Sequence, residues 1–123
     1  MAKKLLLVED DNILRELYLT RFKMDNYEID FAVDGEEAVA KVAANKPDCV
    51  LLDLRIPKLS GFEVLRRIKE QPETKDIPVI VLTALSGDED REKVMQLGAK
   101  AFLTKADTMP KDVLEHVREA IGA

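Results

Sequence analysis

Residues 49 to 53 form the segment Cys49-Val50-Leu51-Leu52-Asp53, in which four consecutive apolar residues end in a carboxylate. A run that is apolar at every position is typical of a strand covered by helices on both faces, because a half-exposed strand alternates instead. Two further segments repeat this pattern and are followed at once by polar residues, namely Leu5-Leu6-Leu7-Val8 and Val79-Ile80-Val81-Leu82. We therefore predict three fully buried strands.

Longer amphipathic segments separate these strands. The first helix is expected after Asp11-Asn12, with an apolar face made of Ile13, Leu14, Leu17, Tyr18 and Phe22. The alternation over 27–33 predicts an edge-like strand, residues 101–103 a short last strand, and residue 110 onward the last helix. Five β units alternating with five α units imply an α/β fold with a parallel sheet covered on both faces. We expect a single domain over residues 1–123, with no output domain.

Composition narrows the classes of function. Lys and Arg number 19 against 24 Asp and Glu, which gives a net charge of -5 and argues against nucleic-acid binding. The lone Cys49 cannot form an internal disulfide, so a reducing compartment is expected. No apolar run approaches the ~20 residues that a membrane span requires. We therefore predict a cytoplasmic protein without a membrane partner.

Polar residues follow four of the predicted strands at their carboxyl ends. They are Glu9 and Asp10 after the first strand, Asp53 after the third, Thr83 after the fourth and Lys105 after the fifth. Ligands of open parallel sheets bind beyond these ends, where the strand order reverses, so we expect the five side chains to converge. Three carboxylates in one pocket repel each other, and a hard divalent cation relieves this. We predict Mg²⁺ as the cofactor, because it accepts carboxylate oxygens and keeps several waters.

Lys105 and Thr83 add the groups that a phosphoryl site needs. A lysine is a mobile point charge that can pair first with a carboxylate and then with a phosphoryl oxygen, to which a threonine hydroxyl can donate. Asp53, in the centre, is the expected nucleophile, because carboxylates form acyl phosphates.

Four segments, in this order along the chain, resemble the receiver domains of two-component response regulators, the CheY-like family. They are Leu7-Val8-Glu9-Asp10-Asp11, Leu51-Leu52-Asp53-Leu54-Arg55-Ile56-Pro57, Val81-Leu82-Thr83-Ala84 and Gly98-Ala99-Lys100-Ala101-Phe102-Leu103-Thr104-Lys105. The resemblance runs from Lys3 to the last helix. It implies a flavodoxin-like, doubly wound sheet in the order 2-1-3-4-5, with helices on both faces.

The resemblance also implies a switch function. Asp53 would accept a phosphoryl group from the phosphohistidine of a histidine kinase or a phosphotransfer protein, in a Mg²⁺-dependent reaction. Asp10, Asp53 and the backbone carbonyl of Arg55 would bind the metal, and Glu9 would act largely through water. The domain would be no enzyme beyond catalysing its own phosphorylation and dephosphorylation.

Thr83 and Phe102 are the implied switch residues. Thr83 and Lys105 would close on the phosphoryl oxygens, and Phe102 would turn inward as Thr83 moves. This change would reshape the face formed by the fourth helix, fifth strand and fifth helix, where a downstream protein would bind. The resemblance leaves a monomer and a weak phosphorylation-dependent dimer open.

Two positions depart from the family pattern. Ala106 follows Lys105 where the family usually has a proline, commonly after a cis peptide bond; a cis bond before a non-proline residue costs ~3 kcal/mol, so a trans bond is expected here. Arg55 lies two residues beyond Asp53, and we hypothesise that it alters the acyl-phosphate lifetime by pairing with Glu9 or by shielding the site from water.

Two other functions stay open at this point. One is a degenerate receiver that acts as an interaction module without phosphorylation. The other, which is weaker, is a Mg²⁺-dependent phosphatase with an aspartyl nucleophile; such enzymes typically carry a second Asp where this chain has Arg55.

Overall fold

The computed structural model describes residues 2–122 of the chain. They form five parallel strands and five α-helices that alternate along the chain, with one short 3-10 turn after the last strand. The elements are β1 (Lys4–Val8), α1 (Asn12–Met24), β2 (Glu28–Ala32), α2 (Gly35–Asn45), β3 (Cys49–Leu52), α3 (Gly61–Glu70), β4 (Val79–Thr83), α4 (Asp88–Gln96), β5 (Ala101–Thr104), the 3-10 turn Lys105–Asp107, and α5 (Pro110–Ile121).

The strand order is β2-β1-β3-β4-β5, which confirms the predicted flavodoxin-like fold. The chain moves from β1 outward to β2, returns to the other side of β1, and then continues outward through β3, β4 and β5. The order therefore reverses between β1 and β3, where Val8 is paired with Leu52. The carboxyl ends of these two strands open a crevice at this reversal.

Two apolar cores lie on opposite faces of the sheet. Helices α1 and α5 cover one face, where Phe22, Leu51 and Leu114 are among the buried residues. Helices α2, α3 and α4 cover the other face, where Val81 and Phe102 pack. The central strands are buried at nearly every position, as the unbroken apolar runs predicted, because each supplies side chains to both cores.

Helix α1 departs from the predicted apolar face. Ile13 is 85% exposed and Leu17 is 53% exposed, so the expectation that both face the core is wrong. The buried side chains of this helix are Arg15, Tyr18, Leu19 and Phe22. Their i, i+3, i+4, i+7 spacing defines a single stripe, and an arginine occupies its first position.

Carboxylates begin two of the helices. Asp11 accepts a hydrogen bond from the Leu14 amide at 2.8 Å, which makes it the expected cap of α1. Asp34 accepts one from the Glu37 amide at 2.8 Å, so the Asp34-Gly35 pair begins α2 directly. Among residues 2–122, no helix combines the length and the hydropathy needed to cross a bilayer.

Candidate functional site

Asp53 is the first residue beyond β3, and its side chain is buried at the crevice between β1 and β3. Its amide donates to the Val8 carbonyl at 3.2 Å, which ties it to the end of β1. The carboxylate accepts two hydrogen bonds, from the Arg55 amide to Oδ1 at 3.2 Å and from Lys105 Nζ to Oδ2 at 2.8 Å. The buried carboxylate is therefore held in one orientation by groups from two different loops.

Lys105 links this carboxylate to a second one. Its Nζ lies 2.6 Å from Glu9 Oε1, and the other Glu9 oxygen accepts a hydrogen bond from the Asp11 amide at 3.2 Å. The Glu9 side chain is only 3% exposed, whereas that of Lys105 is 19% exposed. One ammonium group therefore bridges two buried carboxylates that come from different strands.

The pKa values of Glu9 and Lys105 are both raised. Burial raises the pKa of Glu9, and it outweighs the opposing hydrogen bonds from Lys105 and the Asp11 amide. Burial alone would lower the pKa of Lys105, but its hydrogen bonds to Asp53 and Glu9 outweigh this and raise it. The two directions are compatible because Glu9 is the more deeply buried partner, so desolvation dominates there.

Asp10 completes an acidic cluster whose residue types fit Mg²⁺. One carboxylate oxygen from each of Glu9, Asp10 and Asp53 lies within 4.8 Å of the other two. Oxygens bound to the same octahedral Mg²⁺ lie about 3.0 Å apart at adjacent positions and about 4.2 Å apart at opposite positions, so a cluster of this spread has the size for one Mg²⁺ and its waters. Asp10 is exposed and the other two are buried, which leaves the solvent side of the cluster open.

Gly61 allows the loop after β3 to fold back closely against Asp53. The Gly61 amide donates to the Leu54 carbonyl at 2.9 Å. A Cβ atom on Gly61 would lie 2.4 Å from the Asp53 carbonyl oxygen and 2.5 Å from Leu54 Cα, closer than any real contact. Only glycine fits at the start of α3 without moving the backbone of the central aspartate.

Thr83 and Phe102 are buried on neighbouring strands. The register pairs Val81 with Phe102, so Thr83 lies two residues farther along β4. The Thr83 hydroxyl oxygen accepts a hydrogen bond from the Leu85 amide at 3.3 Å. Phe102 is only 5% exposed, and the Arg91 guanidinium carbon lies 5.1 Å from its ring centroid. In this structure the aromatic ring therefore already lies inside the core.

The structure shows the surroundings of Ala106 and Arg55, the two positions that depart from the family pattern. The peptide bond between Lys105 and Ala106 is trans, as expected, and Lys105 begins a 3-10 turn from which it reaches Asp53. The Arg55 side chain is exposed, and within residues 2–122 it takes part in no ion pair. Glu9 pairs with Lys105 instead, so the structure does not support the hypothesis that Arg55 pairs with Glu9.

Arg15 is a neighbour of the site that we did not predict. It occupies the first position of the buried stripe of α1, and its Nη1 donates to the Glu9 carbonyl at 3.2 Å. The spacing of residues 15, 18, 19 and 22 was the available signal, but a cation is not expected on a buried face.

Comparisons with known proteins agree with this fold. The family model of the response regulator receiver domain matches residues 5–118. Response regulator PleD of Caulobacter vibrioides is 39% identical over 105 residues, which are 85% of this chain and 23% of PleD. This chain therefore spans less than a quarter of that relative's length.

Two further matches, one to a protein and one to a solved receiver-domain chain, cover nearly all of the compared chain. The polar-differentiation response regulator DivK of Brucella anthropi is 30% identical over 122 residues, which are 99% of this chain and 98% of DivK. The solved receiver domain of the sensor histidine kinase PA1611 of Pseudomonas aeruginosa, with a magnesium ion coordinated in its active-site cleft, has a TM-score of 0.90 and 28% identity, covering 100% of both chains. This chain belongs to the response regulator receiver domain family of two-component signalling.

Proposed function

We propose that this domain is a phosphorylation-activated switch in which Asp53 accepts a phosphoryl group from a phosphohistidine on a histidine kinase or phosphotransfer protein. The observation that carries the proposal is the position of Lys105 Nζ, 2.8 Å from Asp53 and 2.6 Å from Glu9, beside the acidic cluster. In the transfer, a carboxylate oxygen of Asp53 bonds to phosphorus as the N–P bond to histidine breaks, and the imidazole nitrogen keeps the electron pair.

Mg²⁺ would be held by Asp10, Asp53 and the Arg55 carbonyl, with Glu9 acting through water. The bound ion would supply positive charge to the phosphoryl oxygens. The oxygen-only cluster of this chain supports that assignment, and so does the magnesium ion in the cleft of the PA1611 receiver domain. Lys105 is already charged and within reach, so it would move from a carboxylate oxygen of Asp53 to a phosphoryl oxygen.

Thr83 and Phe102 would carry the change to the output face. The Thr83 oxygen accepts from Leu85, which leaves its proton free to donate to a phosphoryl oxygen. Movement of Thr83 would then act on the loop that leads into α4 and on the space beside Phe102. The downstream protein would bind the face of α4, β5 and α5.

An exposed apolar patch beside the crevice supports a protein as the phosphoryl donor. It consists of Ile13 and Leu17 on α1 and Met109 before α5, which are 85%, 53% and 61% exposed. Both segments continue directly from site residues, since α1 follows Asp10 and Asp11, and Met109 lies four residues beyond Lys105. Apolar surface next to a reactive group is typical of a docking face.

The first test is mass spectrometry of the intact protein after incubation with acetyl phosphate, with and without Mg²⁺. We expect a gain of one phosphoryl group that requires Mg²⁺ and is absent from Asp53→Asn, which keeps the size of the side chain and removes the nucleophile. A gain in the Asp53→Asn protein would refute Asp53 as the acceptor.

A folded protein that gains no phosphoryl group and binds no Mg²⁺ would instead support the interaction module without phosphorylation. Catalytic turnover of a small phosphate ester would support the phosphatase, the weaker alternative, although Arg55 occupies the place of its expected second aspartate. The cytoplasmic location, the single-domain organisation and the monomer or weak dimer stay predictions.

The donor face has a test of its own. Leu17→Asp places a charge in the patch without touching the acidic cluster, so we expect phosphotransfer from a histidine kinase to slow while the acetyl phosphate reaction is unchanged. Thr20→Asp, an exposed position on the same helix, is the matched control for added charge. Equal transfer rates for the two variants would contradict docking at the patch.

A further inference from the structure

Arg15 is a buried cation that no carboxylate neutralises directly. Its side chain lies on the buried stripe of α1, and the residue is 8% exposed. Within residues 2–122, none of the ion pairs includes it. Its partners are the Glu9 carbonyl at 3.2 Å, Asn12 Oδ1 at 2.6 Å, and the face of Phe31 at 4.7 Å, while its Nε is buried without a hydrogen-bond partner.

Burying the Arg15 side chain has a free-energy cost that an apolar residue at this position would not have. Moving a charge out of water costs several kcal/mol unless strong partners compensate, and here the partners are neutral. A leucine or methionine would continue the apolar stripe of Tyr18, Leu19 and Phe22 without that cost. Three contacts distinguish arginine from an apolar residue at this position: those to Asn12, to the Phe31 ring and to the Glu9 carbonyl. Of these, the hydrogen bond to the Glu9 carbonyl reaches the peptide that leads into the acidic cluster.

That hydrogen bond fixes the peptide that joins Glu9 to Asp10. On one side of it, the Glu9 amide donates to the Ala32 carbonyl at 3.0 Å. On the other side, the Asp11 amide donates to Glu9 Oε2 at 3.2 Å. With the carbonyl held by Arg15 as well, the backbone around Asp10 is anchored before, at and after the peptide that carries it. Asp10 itself is exposed, so its position depends on the backbone that carries it.

We infer that Arg15 is a positioning residue for Mg²⁺ binding, which acts on Asp10 through the Glu9 carbonyl. This inference rests on the proposed function, because it assumes that the acidic cluster binds Mg²⁺. Groups that hold metal ligands in place typically contribute about 10- to 100-fold in metal affinity. We therefore expect Arg15→Met to weaken Mg²⁺ binding by about tenfold.

The direction of the change in Mg²⁺ affinity distinguishes a positioning role of Arg15 from a direct effect of its charge. Removing a nearby positive charge would by itself strengthen the binding of a cation. A purely structural role predicts lower stability with an unchanged dissociation constant. Only loss of positioning predicts weaker Mg²⁺ binding after the cation has been removed.

The experiment is a calorimetric Mg²⁺ titration of the wild type, Arg15→Met, Arg15→Lys and Leu19→Ala, each first confirmed to be folded. Leu19→Ala is the matched control, because it destabilises the same buried stripe without touching the loop. Arg15→Lys keeps the charge and one donor that can reach the carbonyl, so we expect it to recover part of the affinity. It also keeps the test valid if Arg15→Met does not fold.

A second measurement needs no metal. Loss of the hydrogen bond to the Glu9 carbonyl should loosen the loop, so the Asp11 amide should exchange with solvent faster in Arg15→Met than in Leu19→Ala. Unchanged or tighter Mg²⁺ binding in the Arg15 variants, in a protein whose wild type binds Mg²⁺, would overturn the inference and leave the proposed function intact. A wild type that binds no Mg²⁺ would overturn both.

Discussion

Replacing Gly61 by alanine tests how closely the loop after β3 must approach Asp53. The added Cβ would lie 2.4 Å from the Asp53 carbonyl oxygen, whereas ordinary contacts begin at 3.4 Å. The obstacle is backbone rather than the flexible end of a side chain, so about 1 Å of main-chain movement is required. Gly61→Ala must therefore displace either the start of α3 or the residue that carries the proposed nucleophile.

The size of the effect follows from two opposing terms. Overpacking a closely fitted site costs about 1–3 kcal/mol. The better helix propensity of alanine, about 1 kcal/mol over glycine in a helix interior, recovers only a small part of this because Gly61 is the first residue of α3. We expect a net loss of about 2 kcal/mol in the free energy of unfolding. The entropy of unfolding of 123 residues is about 0.26 kcal/mol per kelvin, so Tm should fall by about 8 °C.

The assay is thermal and urea denaturation of Gly61→Ala beside Gly87→Ala. Gly87 precedes α4, and its added Cβ would approach nothing closer than Asp90 Oδ2 at 3.8 Å. We expect this control to lose less than about 1 kcal/mol. Gly61→Ala should also accept phosphate from acetyl phosphate more slowly than the control. A Gly61→Ala protein as stable as Gly87→Ala would refute the steric reasoning.

Three further predictions concern other groups. Burial raises the pKa of the Cys49 thiol to about 12, so the native protein should react with a thiol reagent at pH 8 only as fast as it unfolds, and a rapid native reaction would contradict this. Hydrogen bonds from Arg66 and Arg67 lower the pKa of Glu63 to about 2, so its contribution to stability is present above pH 4.5 and is lost as the pH falls toward 2. The difference in stability between the wild type and Glu63→Gln should therefore shrink between pH 4.5 and pH 2, and a constant difference over this range would contradict the prediction. Arg55→Ala should shorten the lifetime of phosphorylated Asp53 if the exposed side chain shields the acyl phosphate, and an unchanged dephosphorylation rate would remove that role.

The sequence predicted the parallel sheet and the side chains at its carboxyl edge well. Residues 49 to 52 form β3 as expected, because an unbroken apolar run has no other stable place in a domain of this size. Glu9, Asp53 and Lys105 meet because parallel strands present their carboxyl ends at one edge, so position along the strand sufficed. Their roles in phosphoryl transfer stay predictions.

Contacts between segments that are distant in the chain could not be predicted from the sequence. The hydrophobicity of Ile13 and Leu17 placed both in the core, but the stripe that begins at Arg15 turns them to solvent. The close approach of Gly61 to Asp53 depends on how the loop after β3 folds back, which no local sequence pattern indicates. The second carboxylate held by Lys105 likewise depends on the depth at which Glu9 is buried. Such features arise from packing between elements rather than from the period of any one of them.

The two separate cores place the proposed donor face and the proposed aromatic switch on opposite sides of the sheet. The proposed donor face is built on α1, which packs with α5 on one side of the sheet, whereas Phe102 packs with α2, α3 and α4 on the other side. Among residues 2–122, the sheet is the layer that these two cores share. If both proposals hold, exchanging exposed residues of α1 changes the choice of phosphoryl donor and leaves the packing around Phe102 unaltered.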